Sequence, residues 1–531
     1  MYCPKVPLPR TFDRPSMRRA LASEEFDLLV VGGGVTGLGV AVDAASRGLS
    51  VALVERLDVA SGTSSKSSKL IHGGLRYLQQ GEVRLVYEAL HERRRLHRNA
   101  PHLVRVLPFM IPILTKDGVV SKKIARALGS ALWMYDVTGG WRIGRIHRRL
   151  RRARAHSFLP TMNAERLASA YVYYDAEADD AALCLSLART AADLGAVVVT
   201  RCSYLGDGRV RAFVDGSDGD TSTEDFSVRA RVVVDATGVW NQRVPTRPAK
   251  GVHLTVPWEK VRNRIAVVIP VPKDRRSLFV VPWGPRPDGT FSHTYVGTTD
   301  TDYRGPLDDP QCTRDDVEYV LRALNASVTT GVTPDDVTGS WAGLRPLVTA
   351  ASEGEAGSAR TADLSRRHLV TTGDDGVITV TGGKLTTYRR MAEDTVDVVM
   401  ERLDRRARCR TKRLRLFGHD DRRRLETAAL VADEPSLTSP LVEGLPWTRA
   451  DGVLAARDEM ATTIEDVLSR RTRALLFDRE AARRAAPDVA ALIAPILGWD
   501  DARISREVAR FVEICEHEAT AALTPENEMH A

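Results

Sequence analysis

The sequence predicts an α/β protein in which a Rossmann-like dinucleotide-binding domain is joined to an antiparallel-sheet substrate domain and a C-terminal helical domain. Three observations lead there. Val30 and Val31 close an apolar strand that enters Gly32-Gly33-Gly34-Val35-Thr36-Gly37, a G-x-G-x-x-G turn opening a helix; the next strand, Ser50–Val54, ends on Glu55. From Lys250 to about Asp363 the pattern changes to short alternating strands (HLTVP, RIAVVIP, SLFVVPWG, TYVGTTD) with turns between them. Beyond about Arg410 the chain is rich in arginine and alanine and largely helical in pattern.

The first turn carries its own chemistry. Gly32 permits the tight bend, Gly34 lets a pyrophosphate approach the backbone, and Gly37 lets helix and strand pack closely. The helix start offers free N–H groups and a positive dipole end to phosphates. Glu55 stands where a carboxylate accepts from a ribose hydroxyl. Strand, turn, helix, strand and acid in that order favour an adenine-containing ligand over a bare βαβ unit.

A chain of 531 residues has room for two or three domains and a large core. Its formal charge of +7 favours anionic partners: a phosphorylated substrate, an acidic membrane surface or nucleic acid. Six cysteines are scattered without a C-x-x-C pair, which argues against a disulfide framework or a zinc site and fits a reducing cytosol. No apolar run reaches the length of a spanning helix. Residues 1–26, rich in proline and arginine, read as a loose tail.

After Glu55, Ala60–Lys69 (ASGTSSKSSK) is too polar for a core. By composition it is a flexible linker, yet Leu70-Ile71-His72-Gly73-Gly74-Leu75-Arg76-Tyr77 follows at once and packs a base, two glycines, an arginine and a phenol together. That concentration suits a site. Val83–Asn99 has helical spacing and ends at Pro101. Residues 121–155 hold ten lysines and arginines against the single acid Asp136, interleaved with Leu128, Leu132, Trp133, Met134, Tyr135 and Trp141. This is the composition of a segment lying on an anionic bilayer, or of a solvated basic face; RNA binding has no recognisable module behind it. Ala178–Leu194 reads as a helix and Ala196–Thr200 as a strand, and Arg231–Asp235 is a buried strand leading into Ala236-Thr237-Gly238. Gly343-Leu344-Arg345-Pro346 and Leu364-Ser365-Arg366-Arg367-His368 set arginines beside strand ends. A last strand, Val377–Thr381, turns through Gly382-Gly383-Lys384-Leu385-Thr386-Thr387 into a helix over Tyr388–Leu403, aiming a second dipole end at a ligand.

Together, VVGGGVTGLGVAVDAASRGLSVALVE, TSSKSSKLIHGGLRYL, VDATGVW, VGTTDTDYRG, GLRP, LSRRH and GGKLTTYR resemble the FAD-dependent (aerobic, respiratory) glycerol-3-phosphate dehydrogenases, flavoproteins of the amino-acid-oxidase-like fold. The resemblance spans about residues 27–400. Val239 departs from it, as does the arginine-rich run at 142–154.

The resemblance implies a discontinuous FAD-binding domain (27–115, 170–250 and 365–403), a substrate or cap domain with a basic membrane-facing segment (116–169 and 251–364), and the helical domain at 410–531. FAD is then held by Gly32, Gly34, Val35, Thr36, Gly37, Glu55 and Arg56, by Thr63, Ser64, Ser67, Ser68 and Lys69, by Ala236, Thr237 and Gly238, and by Gly383, Lys384, Leu385 and Thr386. The implied reaction oxidises sn-glycerol 3-phosphate to dihydroxyacetone phosphate. Arg345 and Arg366 would clamp the phosphate, and His72 would take the hydroxyl proton. Lys384 would meet the developing negative charge, and Arg76 and Tyr77 would orient the substrate. Electrons would pass to a membrane quinone, with the protein cytoplasmic and peripheral on the inner face of the cell membrane; no nucleic-acid partner is expected, and a homodimer is compatible. Within the fold, an oxidase using oxygen, or a flavin oxidase of another hydroxy or amino acid, would share most of these parts. A nicotinamide enzyme would have no use for GGKLTTYR.

Overall fold

The computed structural model describes residues 10–75, 82–115, 125–215, 221–272, 274, 276–348 and 368–529. Glu25–Val31 (EFDLLVV) is buried after its first residue, as a central strand must be. It pairs in parallel with Val51–Val54 on one side and Arg229–Asp235 on the other. Val197–Val199 extends one side; Ile378–Gly382 extends the other, and antiparallel His368–Thr372 closes that edge. The registers Val31↔Asp235 and Val31↔Val54 bring Ala236 and Glu55 level with Gly32. Three strand ends therefore meet at one edge of the sheet, where connections leave in opposite directions and open α/β sheets bind ligands. The helix Val35–Ser46 packs against Asp180–Asp193 and Tyr388–Arg402; a Cβ on Gly39 would lie 2.9 Å from the Tyr388 ring, so the approach is close.

Among the described residues, a second sheet of ten strands runs Thr301–Asp302, Thr246–Pro257, Phe291–Gly297, Ser277–Pro285, Ala266–Pro270, Val104–Leu114, Leu167–Ala178, Leu70–Ile71; Gly339–Val348 pairs with Thr246–Pro257, and Arg148–Arg151 with Leu167–Ala178. The strands expected between Lys250 and Asp363 are present. Their pairings are antiparallel except that of Ala266–Pro270 with Val104–Leu114, which is parallel. The domain boundaries move accordingly. Val104–Leu114 and the part of Leu167–Ala178 from Ala170 on, assigned to the nucleotide domain from sequence, belong to this second sheet. A strand's composition states that it will be paired and not with which partner.

The N-terminal segment is also corrected. Residues 14–23 form a helix capped by Asp13, whose carboxylate accepts from the Ser16 N–H at 2.9 Å; Met17 and Leu21 are buried. Pro15 lies in the first turn, where its missing N–H costs nothing, so a segment read as a loose tail starts a helix there.

The C-terminal helices, including Arg449–Asp458, Arg479–Leu497 and Asp501–Ala521, enclose their own core around Val467, Phe477, Val489, Ile493 and Phe511. Buried ion pairs fasten it to the nucleotide domain. Asp58, three residues beyond Glu55, accepts from Arg470 and from both terminal nitrogens of Arg471, each at 2.8 Å. Fully buried Arg473 donates to the Ser65 carbonyl at 2.5 Å and to Asp180 at 2.9 Å. This domain thus holds the polar 60–69 loop from behind.

Candidate active site

The glycine turn has no room for side chains. Gly32 sits at φ +111, and a Cβ there would lie 2.7 Å from the Ala236 carbonyl oxygen. A Cβ on Gly33 would lie 2.8 Å from the Glu55 Cβ, and one on Gly37 would overlap the Gly32 carbonyl oxygen. Gly34 faces Ser64, whose hydroxyl accepts from the Val35 N–H at 2.9 Å at the helix start; Thr36 follows in the same turn. Glu55 accepts from the Gly33 N–H at 2.6 Å and the Leu57 N–H at 2.8 Å. Burial raises its pKa above the ordinary carboxylate range against the pull of these two N–H groups. The carboxylate therefore stands beside the turn at the end of its strand. Ala236 passes over Gly32, and the N–H and hydroxyl of Thr237 both bond to Asp235 before Gly238. Arg56 is exposed, pairs with Asp308 at 2.5 Å and lies over the Trp240 ring.

The polar loop is wedged between the two sheets. Thr63 donates to the Leu344 carbonyl at 2.6 Å, and the Trp341 indole N–H donates to the Ser67 carbonyl at 3.1 Å. A Cβ on Gly343 would lie 2.5 Å from the Lys66 carbonyl oxygen, so the loop rests on that strand. The donors of Ser67 and Lys69, expected to serve a cofactor, go to the chain itself. The Ser67 N–H and hydroxyl bond to Asp180 at 2.9 and 2.7 Å, and the Lys69 ammonium lies 3.2 Å from the same buried carboxylate and 4.5 Å from the Trp341 ring centre. Burial, and then the Arg473 charge, lower the Lys69 pKa to about 8 against the attraction of Asp180.

His72 is tied to the second turn. Its N–H donates to the Thr386 hydroxyl at 3.1 Å, and that hydroxyl lies 3.3 Å from the His72 carbonyl. Gly383, Lys384 and Leu385 lead into this turn, and the helix Tyr388–Arg402 opens from it. The structure so joins the 72–74 segment to the 383–386 turn. Behind them the Gly73 N–H reaches the Tyr135 hydroxyl at 3.1 Å and Asp175 at 3.2 Å; Tyr135 donates to Asp175 at 2.7 Å, and Arg93 pairs with the same carboxylate.

Arg345 lies opposite Ala249 in the second sheet, and His253 lies opposite Trp341. Residues 249, 251 and 253 share one face of their strand, so Arg345, Gly251 and His253 lie on the same side. Gly251 leaves the space that the guanidinium occupies: a Cβ there would lie 2.6 Å from it. Arg345 donates to the Thr298 hydroxyl at 2.8 Å and the Thr299 carbonyl at 3.2 Å, with Asp300 at 3.4 Å. His253, which the sequence reading did not single out, lies on this face. Its Nε2 lies 2.9 Å from the Ser68 hydroxyl, its ring stacks on Trp341 at 4.8 Å, and its buried Nδ1 has no hydrogen-bond partner among the described residues. Burial, then Lys69 and Arg345, hold its pKa well below the ordinary histidine range. The available signal was a lone histidine inside a β-rich run, four positions along from the residue facing Arg345. Arg76, Tyr77 and Arg366 lie outside the described residues.

Residues 27–389 match the family of FAD dependent oxidoreductases, and residues 414–504 match the C-terminal domain of alpha-glycerophosphate oxidase. The chain is 38% identical to glycerol-3-phosphate dehydrogenase 2 of Mycobacterium tuberculosis, covering 96% of this chain and 91% of that one. It is 32% identical to a mitochondrial glycerol-3-phosphate dehydrogenase of Arabidopsis thaliana, covering 96% and 88%. Among solved structures, the glycerol-3-phosphate dehydrogenase of Bacillus halodurans complexed with FAD superposes with a TM-score of 0.70 at 28% identity, covering 96% of this chain and 98% of that one. The geometry suits the cofactor: a cradle that any Cβ would fill, a helix start for a pyrophosphate, and a carboxylate for a ribose hydroxyl. The chain belongs to the FAD-dependent glycerol-3-phosphate dehydrogenases, with FAD as its cofactor.

Proposed function

We propose that the protein oxidises sn-glycerol 3-phosphate to dihydroxyacetone phosphate and that the electrons leave for a membrane quinone. The observation that carries this reading is the position of Arg345, a guanidinium on the sheet face beneath the polar loop and beside buried His253. Its fork suits a phosphate monoester, which takes two N–H donors at once; Arg366 completes the clamp. FAD, when bound, supplies the two-electron acceptor for the hydrogen on C2. The chain must supply the rest. His72 accepts the C2 hydroxyl proton; His253, neutral and with an open Nδ1, is the rival base. Lys384 and the helix opening beyond Thr386 present positive potential to the charge that develops. Arg76 and Tyr77 orient the substrate hydroxyls.

The basic segment supports attachment to a bilayer. In the helix Ala125–Thr138, Leu128, Leu132 and Tyr135 are core, while Trp133 (58% exposed), Met134 and Val137 (74%) face outward with Trp141 and Ile146. Exposed Arg145, Arg148, Arg149 and Arg151 flank them. Apolar anchors ringed by arginine suit the surface of an anionic membrane, and no described helix is long and apolar enough to cross one. Phosphatidylglycerol vesicles should sediment the holoenzyme and leave the Trp133→Asp/Val137→Asp variant in the supernatant; equal sedimentation would remove this surface from the membrane contact.

The decisive experiment is anaerobic. Glycerol 3-phosphate should bleach the flavin of the purified protein, and dihydroxyacetone phosphate should form in equal amount. No bleaching, or bleaching by a 2-hydroxy or amino acid instead, would overturn the assignment. The match of residues 414–504 to an alpha-glycerophosphate oxidase domain favours oxygen as the second reading for the acceptor. Hydrogen peroxide stoichiometric with product in air would identify that reading.

A further inference from the structure

A cleft of about 370 Å³ lies beside the helix Val83–Asn99. Arg94, Arg95 and Arg98 line it from that helix, Arg142 from the turn Gly140–Ile143, and Lys412 and Arg413 from the turn Thr411–Arg413. His91 of the same helix also lines it. Two of the cations have carboxylate partners, Arg95 with Glu92 and Lys412 with Glu393 at 2.9 Å, and both carboxylates are shared with Arg389. Arg98 donates to the Lys412 carbonyl, closing one wall. Burial, and then the like charges of Arg413, Arg94, Arg95 and Arg415, lower the Arg98 pKa. The Nε of Arg142 is buried without a hydrogen-bond partner among the described residues.

Four of these six cations, Arg94, Arg98, Arg142 and Arg413, have no carboxylate partner among the described residues, and they repel one another unless an anion sits among them. Arg94, Arg98, Lys412 and Arg413 are exposed around the cleft, and the Arg142 Nε is a buried donor left open toward it. Phosphate oxygens fit such a set because each guanidinium offers paired donors.

We propose that this cleft is a binding site, separate from the Arg345 clamp, for a phosphate-bearing anion of at least two negative charges or for the phosphate of an anionic lipid headgroup. The test compares the wild-type holoenzyme with Arg94→Glu/Arg413→Glu, two exposed positions whose change leaves the buried pairs in place. Calorimetric titration with pyrophosphate should show one more site in the wild type than in the variant, or at least a tenfold loss of affinity; a site at Arg345 is common to both proteins and cancels. For the lipid source, binding to phosphatidylglycerol vesicles should fall at least tenfold in the variant and stay unchanged in Arg424→Glu/Arg510→Glu, which removes equal charge elsewhere. Flavin bleaching by glycerol 3-phosphate should persist in all three proteins, which separates this site from the proposed reaction. Identical pyrophosphate titrations, with vesicle binding lost equally in both charge-reversed variants or in neither, would show an ordinary basic surface and overturn the proposal.

Discussion

The Gly37→Ala variant will be purified without flavin. Gly37 lies in the first turn of the helix that faces the cofactor, directly over the bend of the preceding strand. An added methyl would overlap the Gly32 carbonyl oxygen and lie 3.3 Å from the Ala236 Cβ. Neither neighbour can retreat. Gly32 is itself pinned, because its N–H donates to the Val54 carbonyl at 2.9 Å, and Ala236 is held by the Val31 carbonyl at the same distance. The helix must therefore move off the strand, carrying the Val35 N–H and its dipole end away from the pyrophosphate position. Overpacking of this kind costs about 1–3 kcal/mol in a core that can adjust, and more where the obstacle is backbone. Absorbance near 450 nm relative to protein should fall to the apoprotein level, while far-ultraviolet circular dichroism keeps its α/β shape. A fully yellow Gly37→Ala protein would show that the cofactor is not held by this turn.

Why the glycine turn was legible and other parts were not follows from how far apart the interacting residues lie. Val31, Gly32, Gly37 and Glu55 act within one βαβ unit, so their types and spacing suffice. The same locality made the helix over 83–99 and the helix opening after Thr387 readable to within a residue or two. Sheet membership is non-local. Nothing in VRVLPFMIPIL states that it will pair with Leu167–Ala178 in the second sheet. Ser67 and Lys69 looked like ligand donors because their partner Asp180 lies more than a hundred positions away, and Arg470 and Arg471 gave no sign that Asp58 would receive them. The helix at residues 14–23 was hidden by a composition rich in proline and arginine, in which the position of Pro15 in a first turn does not show. His253 needed the register itself. Only when it is known to face Trp341, on the side that Arg345 shares, does a single histidine in a strand become part of a site.

Arg345→Met will lose most of its turnover of glycerol 3-phosphate while keeping its colour. The two sites lie on different sheets, so removing the clamp leaves the glycine turn untouched. Arg345 is oriented by the chain itself: its donors to Thr298 and Thr299 fix the guanidinium over Gly251, with Asp300 balancing part of its charge. A phosphate arriving there meets a preset fork, and little side-chain entropy is lost on binding. Charge-assisted hydrogen bonds of this kind contribute roughly 1.5–3 kcal/mol each, so losing a bidentate pair costs about 4 kcal/mol. At about 1.4 kcal/mol per factor of ten, kcat/KM should fall about 10³-fold. Arg345→Lys keeps the charge and loses the fork, and should fall between the two. The comparison has a built-in control, because glycerol, which carries no phosphate, should be oxidised equally poorly by the wild type and by Arg345→Met. A discrimination between glycerol 3-phosphate and glycerol that survived the methionine would move the clamp away from this strand, and with it the substrate pose on which His72 or His253 can act as base.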